Sequence, residues 1–336
     1  MKPIAALPAI LAALVLSSCQ GSIIHVSKPL MGTLVNLTYI GDPTAAGEIS
    51  RAAFSEAGRI DALLSPTRTE SDVFRLNEGA GRWPVAVSAE ARALIKKSAA
   101  ISGETEGCYD PTAAPLSALW DFTNKKFTPP DSGVVAAVRA LADYRNIQFP
   151  QDGKSVFLKA PGMKIGLDAV GRGYAVRKAL DALSARGVRS AIVEEGGNLQ
   201  VLGTKYGKKW ITGLRNPRKS SILLNIELED MDAVSTCGDY DRFALVNGRR
   251  YHDIIDPRTG YPAEGFSSVT VISKHPVLSA GYARAIFVMG LVSARTFLAR
   301  HGEIDVILVG SDLKLYASSR LKKRIAFIEN PVVEWL

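Results

Sequence analysis

An α+β fold, a single composite domain of mostly antiparallel strands with packed helices, follows from three observations on this chain. Strand-type and helix-type segments do not alternate strictly, as a doubly wound parallel sheet requires. The dipeptide Asn247-Gly248 joins two runs of alternating character, 243–246 and 249–254. Both of its residues tolerate positive φ, which makes this a hairpin signal. No Gly-x-Gly-x-x-Gly follows a strand and no Walker loop is present, so Rossmann and P-loop nucleotide sites are disfavoured. With 336 residues, 47% of them hydrophobic, the chain can bury a large core. A charged fraction of 22% argues against global disorder.

The N-terminus reads as a targeting segment. Lys2 precedes an apolar run over 4–16, then Leu16-Ser17-Ser18-Cys19. The run is too short for a membrane-spanning helix of roughly 20 residues. Residues 1–18 look like a bacterial lipoprotein signal peptide, cleaved before Cys19, whose thiol would carry diacylglycerol. Residues 19–30 then read as a tether and 31–336 as the folded domain. The expected location is the cell envelope, lipid-anchored and facing the periplasm.

Further along, 33–40 alternates as a strand. Residues 44–64 and 88–102 carry apolar side chains at helical spacing, with Ser88 placed to cap the second. The stretch 122–133 is a polar, Pro-containing loop, 134–144 a helix, and 171–187 a long helix stopped by Gly187. Strands are expected at 191–201, 210–214, 222–228 and 269–273. A helix interrupted near Gly290 covers 277–300, and strands at 305–309, 313–317 and 324–328 close the chain.

The net charge is +8, and +7 without residues 1–18, because only Lys2 is lost. This suits an anionic ligand such as a pyrophosphate. No stripe of Lys and Arg interleaved with aromatics points to nucleic acid. Apart from Cys19 there are two cysteines, Cys108 and Cys237, which are expected to be free buried thiols. There is no zinc signature.

The chemistry-bearing residues concentrate in 233–262. This stretch holds a Thr236-Cys237-Gly238 turn, the run Asp239-Tyr240-Asp241-Arg242, and His252-Asp253-x-x-Asp256-Pro257-Arg258-Thr259-Gly260. It resembles the FAD:protein FMN transferase family, often called ApbE. Met31-Gly32-Thr33, the block from Gly107 through Tyr109-Asp110-Pro111-Thr112 to Trp120, Gly173-Tyr174-Ala175, and Gly196-Gly197 match further motifs in the same order. The resemblance covers nearly the whole mature chain.

The resemblance implies an ApbE-like fold and an enzyme that transfers FMN from FAD to a Thr or Ser hydroxyl of a partner protein, releasing AMP. The partners implied are FAD and a flavinylated, membrane-associated acceptor. The catalytic candidates are His252, Asp253 and Arg284. The cofactor-binding candidates are Met31, Tyr109, Asp110, Thr112, Arg172, Gly196, Gly197, Thr236, Gly238, Tyr240, Asp256, Arg258 and Thr259. Several of these have a purely structural alternative. Asp110 and Thr112 could cap a segment, Gly196-Gly197 could be a bulge, Asp256 and Thr259 could close a turn, and His252 could be a satisfied core residue.

Magnesium is expected of the family, but its side-chain ligands are lost here. The positions that carry the metal-binding Asp and Thr, i and i+4 on one helix, fall on Ala280 and Arg284. Further departures put Arg172 in place of Lys, Asp253 in place of a second His, Glu194 in place of Asn, and Gly166 in place of an Asp, with Asp168 two residues on. A guanidinium repels a metal ion but pairs bidentately with pyrophosphate oxygens. No metal ligands are therefore assigned. A catalytically degenerate FAD-binding paralogue, serving flavin storage or redox assembly, stands as the alternative reading.

Overall fold

The structure, a computed structural model, describes residues 21–122 and 127–336. The signal peptide and Cys19 expected above lie outside the described residues, as does the 123–126 part of the polar loop. Among the described residues a nine-stranded sheet forms the frame. Its order is Ser22–Leu30, Thr33–Gly41, Ala191–Glu195, Asn198–Leu202, Ala233–Gly238, Phe266–Ser273, Asp305–Gly310, Leu315–Ala317 and Val333–Trp335. Every pairing is antiparallel except the last. The α-helices among the described residues are α1 (Ala46–Leu64), α2 (Asp72–Glu78), α3 (Ala89–Glu104), α4 (Ala114–Leu119), α5 (Ser132–Arg139), α6 (Asp168–Ala185) and α7 (Pro276–Arg300).

Side-chain alternation divides the sheet between two cores. Val193, Val269, Val271, Val306 and Leu308 join the large core shared with α1, α3, α6 and α7. Leu199, Val201, Val234, Ile272, Ile307 and Val309 face the opposite way. There a small sheet of Trp210–Arg215, Ile222–Leu228 and Ile325–Phe327 covers them. Phe266–Ser273 is buried at all eight positions because both of its faces are covered. α7 is long and apolar enough by composition to cross a membrane. Many of its apolar side chains, Ile286 and Phe287 among them, are buried in the core, while Val292 is exposed.

Several expectations hold. Ser88 caps α3 by accepting from Ala91 N at 3.1 Å. Gly187, at φ +83°, follows the end of α6, and Gly290, at φ +70°, breaks α7. The Asn247-Gly248 turn has positive φ at both residues and joins Phe243–Val246 to Arg249–His252.

Others are corrected. The tether reading of 19–30 fails where the chain is described, because Ser22–Leu30 is a strand paired along its whole length with Thr33–Gly41. Ile24, Val26 and Leu30 pack against the large core and hold it there. The expected single strand at 191–201 is a tight hairpin turning at Gly196-Gly197, where φ is +51° and +85°. Thr236–Gly238, read as a turn, ends the interior strand Ala233–Gly238. The helix expected at 134–144 stops at Arg139 and starts two residues earlier, at an Asp131 cap. α2 has no counterpart among the expected elements; it starts where the Ser71 hydroxyl accepts from Phe74 N.

Candidate functional site

One large cavity, about 960 Å³, opens where the ends of these elements converge. That is the upper end of the usual range for small-molecule sites. The strand Ala233–Gly238 brings Thr236, Cys237 and Gly238 to its wall, and the neighbouring hairpin brings Gly196 and Asn198. α6 contributes Asp168 and Arg172 near its start, and α7 contributes Ala280 and Arg284. The segment after α3 supplies Tyr109, Asp110 and Trp120, and Asp253 enters beyond the 243–252 hairpin.

The backbone around this wall is tightly constrained. Gly196 sits at φ +51°, which favours glycine, and a Cβ there would lie 2.7 Å from Nη1 of Arg172. A Cβ on Gly238 would lie 2.1 Å from the Tyr240 ring, which folds over it. The Thr236 and Thr270 hydroxyls bond at 2.9 Å, and Ser235 donates to Asn198 Oδ1 at 2.8 Å. Asn77 holds Ile165 through both its backbone groups, pinning the approach to α6.

Two cations face the cavity with donors to spare. Arg284 gives one Nη2 bond, 2.6 Å, to the carbonyl of Asp253. Arg172 makes no hydrogen bond among the described residues and comes within 3.7 Å of one carboxylate, Glu195. Ala280 and Arg284 both line the cavity, one helical turn apart, so the spacing argument from the sequence places them correctly. Magnesium needs several oxygen ligands. This face of α7 offers a methyl group and a guanidinium instead, so the residues do not fit a metal there. Among the described residues no group of three or more His, Cys, Asp or Glu is placed to hold an ion.

The remaining candidates separate by geometry. His252 is held within the core: it is buried edge-on to Phe287 at 5.5 Å, with Nε2 2.9 Å from the Ala263 carbonyl and Nδ1 accepting from Ile254 N at 3.3 Å. Both ring nitrogens are satisfied by the neutral form, and burial lowers the imidazole below its ordinary value. Thr112 is fully buried and donates its hydroxyl to Asp110 at 2.6 Å. Asp110 also accepts from Thr112 N and Tyr144 N, so this pair is a cap for the following turn. Burial nonetheless raises the Asp110 carboxyl. Tyr109 reaches the cavity wall, but its hydroxyl is turned to Ser98 at 2.7 Å, and burial raises the phenol.

Asp256, Arg258 and Thr259 do not line the cavity. The Asp256 carboxylate receives Arg258 N and, bidentately, its guanidinium at 2.9 and 2.8 Å. Thr259 is exposed, its hydroxyl accepting from Tyr261 N. This turn works through Trp120, whose indole donates to Gly260 O at 2.9 Å and whose ring lies in the cavity wall. Met31 sits in a hairpin turn with φ +54°, and Gly197 turns the 191–202 hairpin; neither lines the cavity. Tyr240 lies under the Arg215 guanidinium in a separate groove of about 510 Å³. Cys108 and Cys237 are free, and burial pushes them up to about 11 and about 12, so both stay thiols.

Glu195 and Asn198 are not among the candidates drawn from the sequence, and Asp241 and Arg242 appear there only within a motif. A usable signal existed for Glu195. With Ala191 and Val193 facing the core, period-two alternation turns Glu195 inward as well.

Comparison with known proteins agrees with this architecture. The sequence model of the ApbE family matches residues 31–308. An FAD:protein FMN transferase of Klebsiella pneumoniae is 30% identical over 307 residues, covering 90% of this chain and 94% of that protein. One from Vibrio cholerae is 29% identical, covering 94% and 97%. Among solved structures, the ApbE protein of Thermotoga maritima superposes with a TM-score of 0.83 at 28% identity, covering 90% of this chain and 99% of that one. The flavin transferase ApbE of Vibrio cholerae gives 0.79 at 29% identity, with the same coverage. With a family match across most of its length and the same fold in solved relatives, this chain belongs to the ApbE family.

Proposed function

We propose that this protein is an FAD:protein FMN transferase that binds the FAD pyrophosphate through arginines rather than through a magnesium ion held on α7. The observation that carries this reading is the pair of guanidinium groups, Arg172 and Arg284, facing one cavity of dinucleotide size with unspent donors. Charge-assisted, bidentate contacts from arginine suit phosphate oxygens. The exposed Lys164 and Arg242 add positive charge at the rim.

In the transfer, the acceptor hydroxyl oxygen bonds to the phosphorus on the FMN side of the pyrophosphate. The bond from that phosphorus to the bridging oxygen breaks, and AMP leaves with that oxygen. Arg284 and Arg172 stabilise the negative charge that grows on the leaving phosphate. The hydroxyl proton passes to a carboxylate, and Asp253, beside Arg284, is the residue we assign to that role.

Mass measurement of an acceptor protein incubated with FAD and this enzyme, with and without chelator, tests the proposal. A mass gain of one FMN that persists in chelator supports it; a gain abolished by chelator shows that ligands elsewhere bind the metal. The double change Ala280→Asp with Arg284→Thr rebuilds two oxygen donors on one helix face and should make FAD binding magnesium-dependent. Full transfer by the unaltered protein and slower transfer by this variant would make Arg284 itself the working electrophile.

The degenerate FAD-binding paralogue is favoured by one observation, the Ala280–Arg284 pair, and the same assay decides it: tight FAD binding with an unlabelled acceptor. We further propose export and anchoring through a lipidated Cys19, on the strength of the LSSC junction. Mass spectrometry of the membrane-extracted protein checks this, and an unmodified N-terminus at another residue rejects it.

A further inference from the structure

Beside Arg172, and outside the lining of the cavity, lies a carboxylate that the transfer mechanism does not use. Glu195 ends the strand Ala191–Glu195 with no exposed surface, pointing to the same face as Ala191 and Val193. Neither of its carboxylate oxygens has a hydrogen-bond partner. Its nearest cation is Nε of Arg172 at 3.7 Å, too long for a hydrogen bond and close enough for a strong charge interaction. The other charged groups bearing on it are Asp168 on α6 and Asp61 on α1, and Asp61 is itself paired with Arg68. A buried, unpaired carboxylate is costly to ionise. Burial accordingly pushes Glu195 up to about 7, with Arg172 drawing it down and Asp61 and Asp168 adding to the rise.

Building on the FAD reading of the cavity, we infer that Glu195 is a positioning residue that couples pyrophosphate binding at Arg172 to a proton. Protonated, Glu195 leaves the Arg172 charge free for the phosphates. Ionised, it holds the guanidinium back and repels an incoming anion. Gly196, next in sequence to Glu195, lies against the same guanidinium, a Cβ there coming within 2.7 Å of Arg172 Nη1. FAD binding therefore takes up a proton at Glu195 when the pH lies above its folded-state value.

Titration calorimetry with FAD, in buffers of differing ionisation enthalpy, tests the coupling on the unaltered protein and on Glu195→Gln, which mimics the protonated acid. Affinity of the unaltered protein should fall by about tenfold between pH 6 and 8, as one linked proton leaving a group that titrates near 7 requires. At pH 7.5 binding should take up a substantial fraction of a proton. Glu195→Gln should bind FAD with little dependence on pH and take up none. Equal proton uptake by the two proteins overturns the inference. FAD failing to bind at any pH sinks the FAD reading as well, whereas binding without proton exchange sinks the coupling alone.

The ligand-free protein gives an independent check. A carboxyl raised on folding contributes stability that is intact below its unfolded value and lost as pH rises through the folded one. Melting temperature should thus fall between about pH 5 and 7.5 in the unaltered protein, with Glu195→Gln lacking that component. Identical slopes in the two would reject the assignment of the proton to Glu195.

Discussion

Arg258 and Arg284 stand 26 positions apart and meet opposite electrical circumstances. Arg258 folds back on Asp256, two residues away, in a bidentate pair inside its own turn. Arg284 lies on a helix whose neighbouring turn toward the cavity offers alanine, and a backbone carbonyl takes only one of its donors. The first arginine is consumed by local structure; the second is left for a ligand. A basic residue in a motif informs about function only once its counter-charge has been located, and for Arg258 the counter-charge was already within the motif.

This contrast breaks most sharply at the turn. Gly260→Ala should cost the most, about 3 kcal/mol or more, because the residue sits at φ +83° and a Cβ would lie 2.6 Å from Val135 Cγ1. Chemical denaturation measures it, and a variant as stable as the parent would show that the turn is free to rearrange. Asp256→Ala comes next, at about 1–2 kcal/mol, since it removes the acceptor of the Arg258 amide while the half-exposed guanidinium turns to water. Its FAD affinity, where it remains folded, should change little; a large loss of affinity would place the turn in the site after all.

Arg284→Ala should behave in the reverse way. FAD affinity should drop by roughly tenfold to a hundredfold, the worth of a charge-assisted contact, while the melting temperature barely moves. Unchanged affinity in calorimetry would remove Arg284 from the pyrophosphate contacts.

The smallest effect concerns His252. Burial lowers its value below the ordinary 6.5, so the folded state binds fewer protons than the unfolded one. Its contribution is present above that value and lost as pH falls below it. His252→Gln should flatten the acid side of the stability profile and leave FAD affinity intact. Transfer abolished by this change, with binding preserved, would return His252 to the chemistry.

Much of the molecule was legible beforehand where the signal was local. The Asn247-Gly248 hairpin, the Ser88 cap, the stop at Gly187 and the break at Gly290 each depend on one or two residues and their neighbours. Ala280 and Arg284 were placed on one face by helical spacing alone. The N-terminal strand was misread as a tether because its inward side chains alternate with exposed polar ones, and only the partner strand makes that worth ordering. Thr236–Gly238 was misread as a turn because small residues favour turns, while strands on both sides of Ala233–Gly238 hold it extended.

By itself the sequence determined the fold class, the family, the hairpin and helix ends, and the shared helix face of Ala280 and Arg284. These rest on residue type and short-range spacing. Only the tertiary structure decided which polar residues face the cavity and which are already satisfied. His252, Thr112 and Asp256 find their partners nearby, whereas Arg172 meets Glu195 from a strand 23 positions away. Hydrogen bonds saturate, so a side chain is available to a ligand only if folding leaves it donors to give. That remainder is a property of the packed molecule.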